Sequence, residues 1–176
     1  NNENMDYIYE ISKIFKIKNK QVVKSLTNFK GLDHRHEIFF RNHNKTFIND
    51  SKATSFQSSK FALKSNKNIF WIIGGLPKLG DKIKINDVKR NVVKAYIIGK
   101  NIKFFMKYLN GNIDYEVSCN MKNAVTSILQ DIKKFKEKKI NILLSPASAS
   151  YDQYKNFEER GNKFKKLVLR YAKKNF

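Results

Sequence analysis

Apolar residues change their period several times along the chain, and each change predicts an element. Met5, Ile8, Ile11 or Ser12, and Phe15 recur near helical spacing within residues 3–15, and Val22, Val23 and Leu26 mark a second short helix after Asn19. Gly31 closes this part. "HEIFFRNHNKTFIND" reads as two strands joined by a polar turn around Asn42–Lys45. A helix is expected after Thr54 through about Leu63, followed by the continuous apolar run "IFWIIGG" (69–75). A similar run, "VKAYIIG" (93–99), leads into a helical stretch from Asn101 to Leu109, and "YEVS" (115–118) is a short strand. Asn120 can cap the next helix, whose Ala124, Val125, Ile128, Leu129, Ile132 and Phe135 form one stripe. "INILLSP" (140–146) is the last strand, and a helix over about 157–173 completes the pattern.

Strands that alternate with helices, the later ones almost wholly apolar, predict an α/β fold with a largely parallel sheet covered on both faces. Ligands in such sheets bind beyond the carboxyl ends of the strands. That rule marks Asn49–Thr54, Gly74–Lys78, Gly99–Lys100 and Ser145–Ser150.

Composition narrows the class. Across 176 residues, 41% are hydrophobic and 13% aromatic, which suits a folded domain rather than a disordered chain. No apolar run approaches the roughly 18–20 residues that span a bilayer, and the first ten residues lack the pattern of a secretory signal. One cysteine, Cys119, cannot form an internal disulfide, and a reducing cytoplasm is the expected compartment. The net charge of +21 invites a nucleic-acid reading, but 31 of the 36 basic residues are lysine and they are spread along most of the chain. Arginine, suited to bidentate phosphate and guanine contacts, is scarce, so no nucleic-acid partner is expected.

Local chemistry singles out a few residues. Asp50, Lys52 and Thr54 sit where a strand feeds a helix, and they can accept hydroxyl hydrogen bonds and hold an anion; Asp50 or Ser51 could equally be a helix N-cap. Gly74-Gly75 permits close backbone approach, with Lys78 just beyond, although the segment is no GxxxxGK[ST] phosphate loop. Ser145, Ser148 and Ser150 can bind a carboxylate or form a turn and cap, and no GxSxG elbow surrounds them. His34 and His36 would share a face of a strand, but with only His43 nearby no metal site is expected.

"GLDHRHE", "FINDSKATS", "GGLPK" and "LLSPASASYDQYKNFEERGNKF", in this order and spacing, closely resemble the C-terminal part of the D-glutamate-adding Mur ligases. The resemblance covers essentially the whole chain, with "NNEN" matching the end of that family's HNxxN segment, and the last motif is the most specific. The DNPR motif of the diaminopimelate-adding relatives is absent. Asp33 stands where family members usually have proline, and "LPKLGDKI" is looser than the common pattern.

The resemblance implies a Rossmann-like amino-acid-binding domain over residues 31–176, with residues 1–30 a helical remnant of the central ATPase domain and its linker. It implies an ATP-dependent ligase of peptidoglycan-precursor synthesis, in which ATP phosphorylates UDP-N-acetylmuramoyl-L-alanine and the D-glutamate amine attacks the acyl phosphate. Nucleotide contacts fall to Asn4 (adenine), Arg35 (phosphate side) and Asp50 (ribose). D-Glutamate contacts fall to Thr54, Lys78, Ser150 and Phe157, with Lys52 close by. Mg2+ is implied as well, its ligands expected in a central domain outside these residues, so this chain is expected to be an inactive C-terminal fragment. A monomer without membrane or nucleic-acid partners is expected. Another amide ligase of the superfamily, such as a folylpolyglutamate synthase, and a basic module for nucleotide or nucleic acid are the competing readings.

Overall fold

All six expected strands form: β1 (Glu37–Asn42), β2 (Lys45–Asn49), β3 (Ile69–Gly74), β4 (Val92–Ile98), β5 (Tyr115–Cys119) and β6 (Ile140–Leu144). They build one sheet in the order β1-β2-β6-β3-β4-β5. β1 and β2 are an antiparallel hairpin, and every other pairing is parallel. The α/β, Rossmann-like architecture is therefore as expected. This computed structural model describes residues 2–135 and 139–175. It divides into two compact units, 1–32 and 33–176.

The first unit is a helix pair, α1 (Asn2–Ile14) and α2 (Asn19–Asn28). An apolar cleft within it is lined by residues such as Ile8, Val22, Leu26 and Phe29. The two helices form as expected, but the residues of the expected stripes stay largely exposed, including Met5, Ile11, Phe15 and Val23, while Ser12 is buried.

In the second unit the pleat sorts the core. Ile69, Trp71 and Ile73 of β3 face one side, against α3 (Phe56–Ser65) and α4 (Ile102–Leu109). Phe70 and Ile72 face the other, against α5 (Met121–Asp131) and α6 (Phe157–Asn175). A strand buried on both faces needs no polar alternation, which is why 69–74 reads as a solid apolar run. Each such side chain contributes about 1.5–3 kcal/mol by leaving water, so the sheet is the rigid platform for its loops.

Boundaries differ from the expectation where local capping decides. α3 starts at Phe56 because the Ser55 hydroxyl accepts the Ser58 amide. Asp50 and Ser51 are not its caps. Asn120 does cap α5, accepting the Asn123 amide at 3.0 Å. That helix ends at Asp131 and tightens into a 3-10 turn at Ile132–Lys134, so the stripe continues without α-helical geometry. Two further 3-10 turns, Ile85–Asp87 and Lys89–Asn91, were not expected.

Candidate functional site

β2, β6 and β3 are consecutive neighbours and parallel, so their carboxyl ends open side by side: Asn49 pairs with Leu144, and Leu144 with Ile72. The three loops that follow are tied together by backbone. Asp50 N donates to Leu144 O at 2.7 Å and Gly74 N to Pro146 O at 3.0 Å. Leu76 and Ala149 exchange two bonds of 2.8 and 3.0 Å. This closeness explains the double glycine. A Cβ on Gly74 would collide with the Ile98 carbonyl, and one on Gly75 with the Ala149 carbonyl and the Ser148 hydroxyl.

Asp50 lies at the end of β2, 8% exposed. Its Oδ1 accepts the His36 amide at 3.0 Å and its Oδ2 accepts the Ser145 hydroxyl at 2.7 Å. Burial pushes its carboxyl up to about 6, opposed by those two bonds and by the charge of Arg35. Each oxygen still has a lone pair in reserve, so the carboxylate is oriented but can accept further hydroxyl donors. Arg35 is exposed beside it. A nucleotide fits this pair chemically: an acceptor for ribose hydroxyls, and a free guanidinium for phosphate.

Lys52 and Thr54 follow, both half-buried. The Lys52 ammonium sits 4.0 Å from the centre of the Phe157 ring, a cation–π pair linking the loop after β2 to the start of α6. The same two segments are joined again where Ser51 Oγ donates to Phe157 O at 2.8 Å. Ser150 is buried in the loop after β6, and its carbonyl accepts the Gln153 and Tyr154 amides. Lys78 is exposed in the loop after β3, where Asp81 holds its amide at 3.0 Å. Asn4 lies exposed on α1, in the other unit. Thus Asp50, Lys52, Thr54, Ser150 and Phe157 gather at one sheet edge with Arg35, and Lys78 is on a neighbouring loop of that edge.

His34 and His36 are not on a strand. Both precede β1 with left-handed backbone, φ 63° and 46°. His34 is buried, its Nδ1 2.8 Å from Asn49 Nδ2, and its ring meets Phe157 edge-on. Asn49 also donates to Glu37, which in turn bonds Lys165 of α6. Among the described residues no group of three or more His, Cys, Asp or Glu could hold a metal. Nor is any described helix long and apolar enough to cross a membrane.

Asn49 and Ser51 fell within the stretch marked by the strand-end rule but without their observed partners, whereas Asp152 and above all Arg160 escaped sequence reasoning. Asp152 accepts the Lys100 amide at 2.8 Å and so ties the end of β4 to the loop after β6. A signal for Arg160 existed, since it falls four residues before Phe164 and eight before Val168, on the buried stripe of α6.

No family model matches the chain. Among curated proteins it is 39% identical over 164 residues to UDP-N-acetylmuramoylalanine–D-glutamate ligase of Wolbachia sp. subsp. Brugia malayi (strain TRS), covering 93% of this chain and 33% of that protein. The ligase of the same name from Rickettsia felis is 36% identical over 172 residues, 98% of this chain and 38% of its own length. That from Rhizobium meliloti is 39% identical over 148 residues, covering 84% and 32%. The chain therefore spans about a third of the length of these relatives, and it is homologous to their C-terminal part.

Proposed function

We propose that this chain, a relative of the D-glutamate-adding Mur ligases along nearly its whole length, is the C-terminal amino-acid-binding domain of such a ligase. In this reading residues 31–176 are that domain, and residues 1–30 are a helical remnant of the central ATPase domain with its linker. The observation that carries it is the gathering of Lys52, Thr54 and Ser150, on loops beyond three adjacent parallel strands, with Phe157 at the start of α6, held by the Ser51–Phe157 and Leu76–Ala149 bonds.

The chemistry of the residues suits the assigned ligands. D-Glutamate carries two carboxylates, which Lys78 and Lys52 offset in charge while the Thr54 and Ser150 hydroxyls donate hydrogen bonds. Phe157 walls the pocket and orients the Lys52 ammonium. Asp50 accepts ribose hydroxyls, Arg35 faces the phosphates, and Asn4 meets the adenine. ATP supplies the phosphoryl group that activates the carboxylate of UDP-N-acetylmuramoyl-L-alanine. What this domain adds is a fixed position for the D-glutamate amine, beside loops tied to one another by backbone hydrogen bonds. On this reading the magnesium ligands lie in the central domain of the full-length protein. The working protein is a cytoplasmic monomer on this reading.

Phosphate release from ATP by the full-length ligase, with UDP-N-acetylmuramoyl-L-alanine and either D-glutamate, L-glutamate, D-aspartate or meso-diaminopimelate, tests the assignment. Turnover should require D-glutamate. The 176-residue chain alone should release no phosphate above background, because phosphoryl transfer needs a phosphate cradle that these residues lack. Efficient turnover with another amino acid and none with D-glutamate overturns the reading.

A further inference from the structure

Apart from Trp71, the largest fully buried side chain among the described residues is Arg160, a cation 1% exposed. Its partners are neutral. Nε donates to Ser51 Oγ at 3.0 Å, and Nη2 donates to Ser51 O at 2.9 Å and to Ser148 O at 3.0 Å. Nη1 has no hydrogen-bond partner, and it lies against Gly75, where an added Cβ would stand 3.2 Å away. One guanidinium on α6 thus touches the loops after β2, β6 and β3. Burial draws its pKa down to about 10, with Asp152 and Tyr154 opposing, so it stays charged at neutral pH.

A buried cation that makes no hydrogen-bonded ion pair is costly to keep, so packing alone gives no reason for it; an apolar side chain would fill the volume at lower cost. What guanidinium adds is geometry. Its planar fork fixes several acceptors relative to one another, which a lysine ammonium, a point charge on a flexible stem, does not do. The acceptors here are Ser51, next to Lys52 and three residues before Thr54, and Ser148, two residues before Ser150. Ser51 in turn donates its hydroxyl hydrogen bond to the carbonyl of Phe157.

We infer that Arg160 is a positioning residue that sets the spacing between the two halves of the D-glutamate pocket, by clamping the Ser51 and Ser148 carbonyls, without touching the amino acid itself. The inference rests on the D-glutamate reading above. Asp50, by contrast, is held by Ser145 and His36, outside the clamp. Loosening the clamp therefore weakens D-glutamate use and leaves ATP use comparatively intact.

Steady-state kinetics of the full-length ligase carrying Arg160→Lys or Ser51→Ala, varying D-glutamate and ATP in turn, tests this. Arg160→Lys keeps the charge and loses the fork; its KM for D-glutamate should rise on the order of tenfold to a hundredfold, with the ATP KM within about threefold. Ser51→Ala keeps the cation and removes the hydroxyl between Arg160 and Phe157, and should raise the D-glutamate KM severalfold. A merely structural arginine would lower Tm in both variants with both KM values unchanged or raised together, and either result overturns the inference. If Arg160→Lys fails to fold, an unchanged D-glutamate KM in folded Ser51→Ala overturns it just as well. Should the unsubstituted ligase make no product with D-glutamate, the functional reading falls and this inference with it. Normal D-glutamate turnover with insensitive variants sinks the clamp alone.

Discussion

Ser145 and Asp50 are 95 positions apart in the chain, yet the Ser145 hydroxyl donates a 2.7 Å hydrogen bond to Asp50 Oδ2 in the buried seam between β2 and β6. That bond is one of the forces holding the Asp50 carboxyl down against burial. Ser145→Ala should therefore let the carboxyl rise further above about 6, leaving less of it ionised at neutral pH. In the full-length ligase the ATP KM should rise by the equivalent of about 1–2 kcal/mol, and the loss should shrink as assay pH is raised. A pH-independent loss would mean that Ser145 acts through packing.

Asp50 should also carry a conflict between function and stability. Its folded pKa of about 6 lies above the ordinary 3.8, so its contribution to stability is fully present below 3.8 and is lost as pH rises through about 6. Above that, the buried charge costs on the order of 1–3 kcal/mol. In Asp50→Asn the amide oxygen can still accept the His36 amide, and its nitrogen can donate to the Ser145 hydroxyl, which accepts as readily as it donates. The variant chain should thus gain in urea midpoint over the unsubstituted chain, and gain more at about pH 8 than at about pH 5. Equal or lower midpoints at both pH values would refute this account of Asp50.

Lys78→Ala in the full-length ligase should raise the KM for D-glutamate far more than that for ATP. Removing a charge-assisted contact to a carboxylate, with the partner left unpaired, is expected to cost on the order of 2–4 kcal/mol. The backbone there is held independently by the Asp81 carboxylate on the Lys78 amide, so the loop should keep its shape. An unchanged D-glutamate KM with normal turnover would remove Lys78 from the pocket.

The sheet was legible because its physics is local. Runs such as 69–75 and 140–146 are too apolar and too short for anything but buried strands, and the strand-end rule then pointed to Asp50, Lys52, Thr54 and Ser150. Less legible were features set by a residue's distant partner. Ser55 caps α3, whereas Asp50 lies six residues before its first turn and is engaged by Ser145 and His36, one of them on another strand's loop. Nothing in "GLDHRHE" announces that His34 and His36 adopt left-handed backbone and leave the strand. Arg160 was hidden in a lysine-rich helix, where only its register with Phe164 and Val168 sets it apart from the solvated cations.

Asp50 and Thr54 lie four residues apart and are assigned to different ligands, and the local structure offers a reason for such a split. Asp50 is fixed by the β6 loop and the His36 amide, whereas Thr54 sits half-buried just before the Ser55 cap of α3. Between them, Ala53 N donates to Asp50 O at 3.0 Å and Lys52 N to His34 O at 3.0 Å, so the chain turns tightly and the two side chains need not share a direction. In the full-length ligase Asp50→Asn should weaken ATP use and Thr54→Val should weaken D-glutamate use, each by roughly 1–3 kcal/mol in kcat/KM for its own ligand. Thr54→Val keeps the β-branched shape, so its effect reports the lost hydroxyl rather than a packing defect. Circular dichroism and Tm should be close to those of the unsubstituted ligase for Thr54→Val. If both variants, still folded, impaired both ligands to the same extent, the division of labour between the two residues would be wrong, and the segment would be acting as one structural unit.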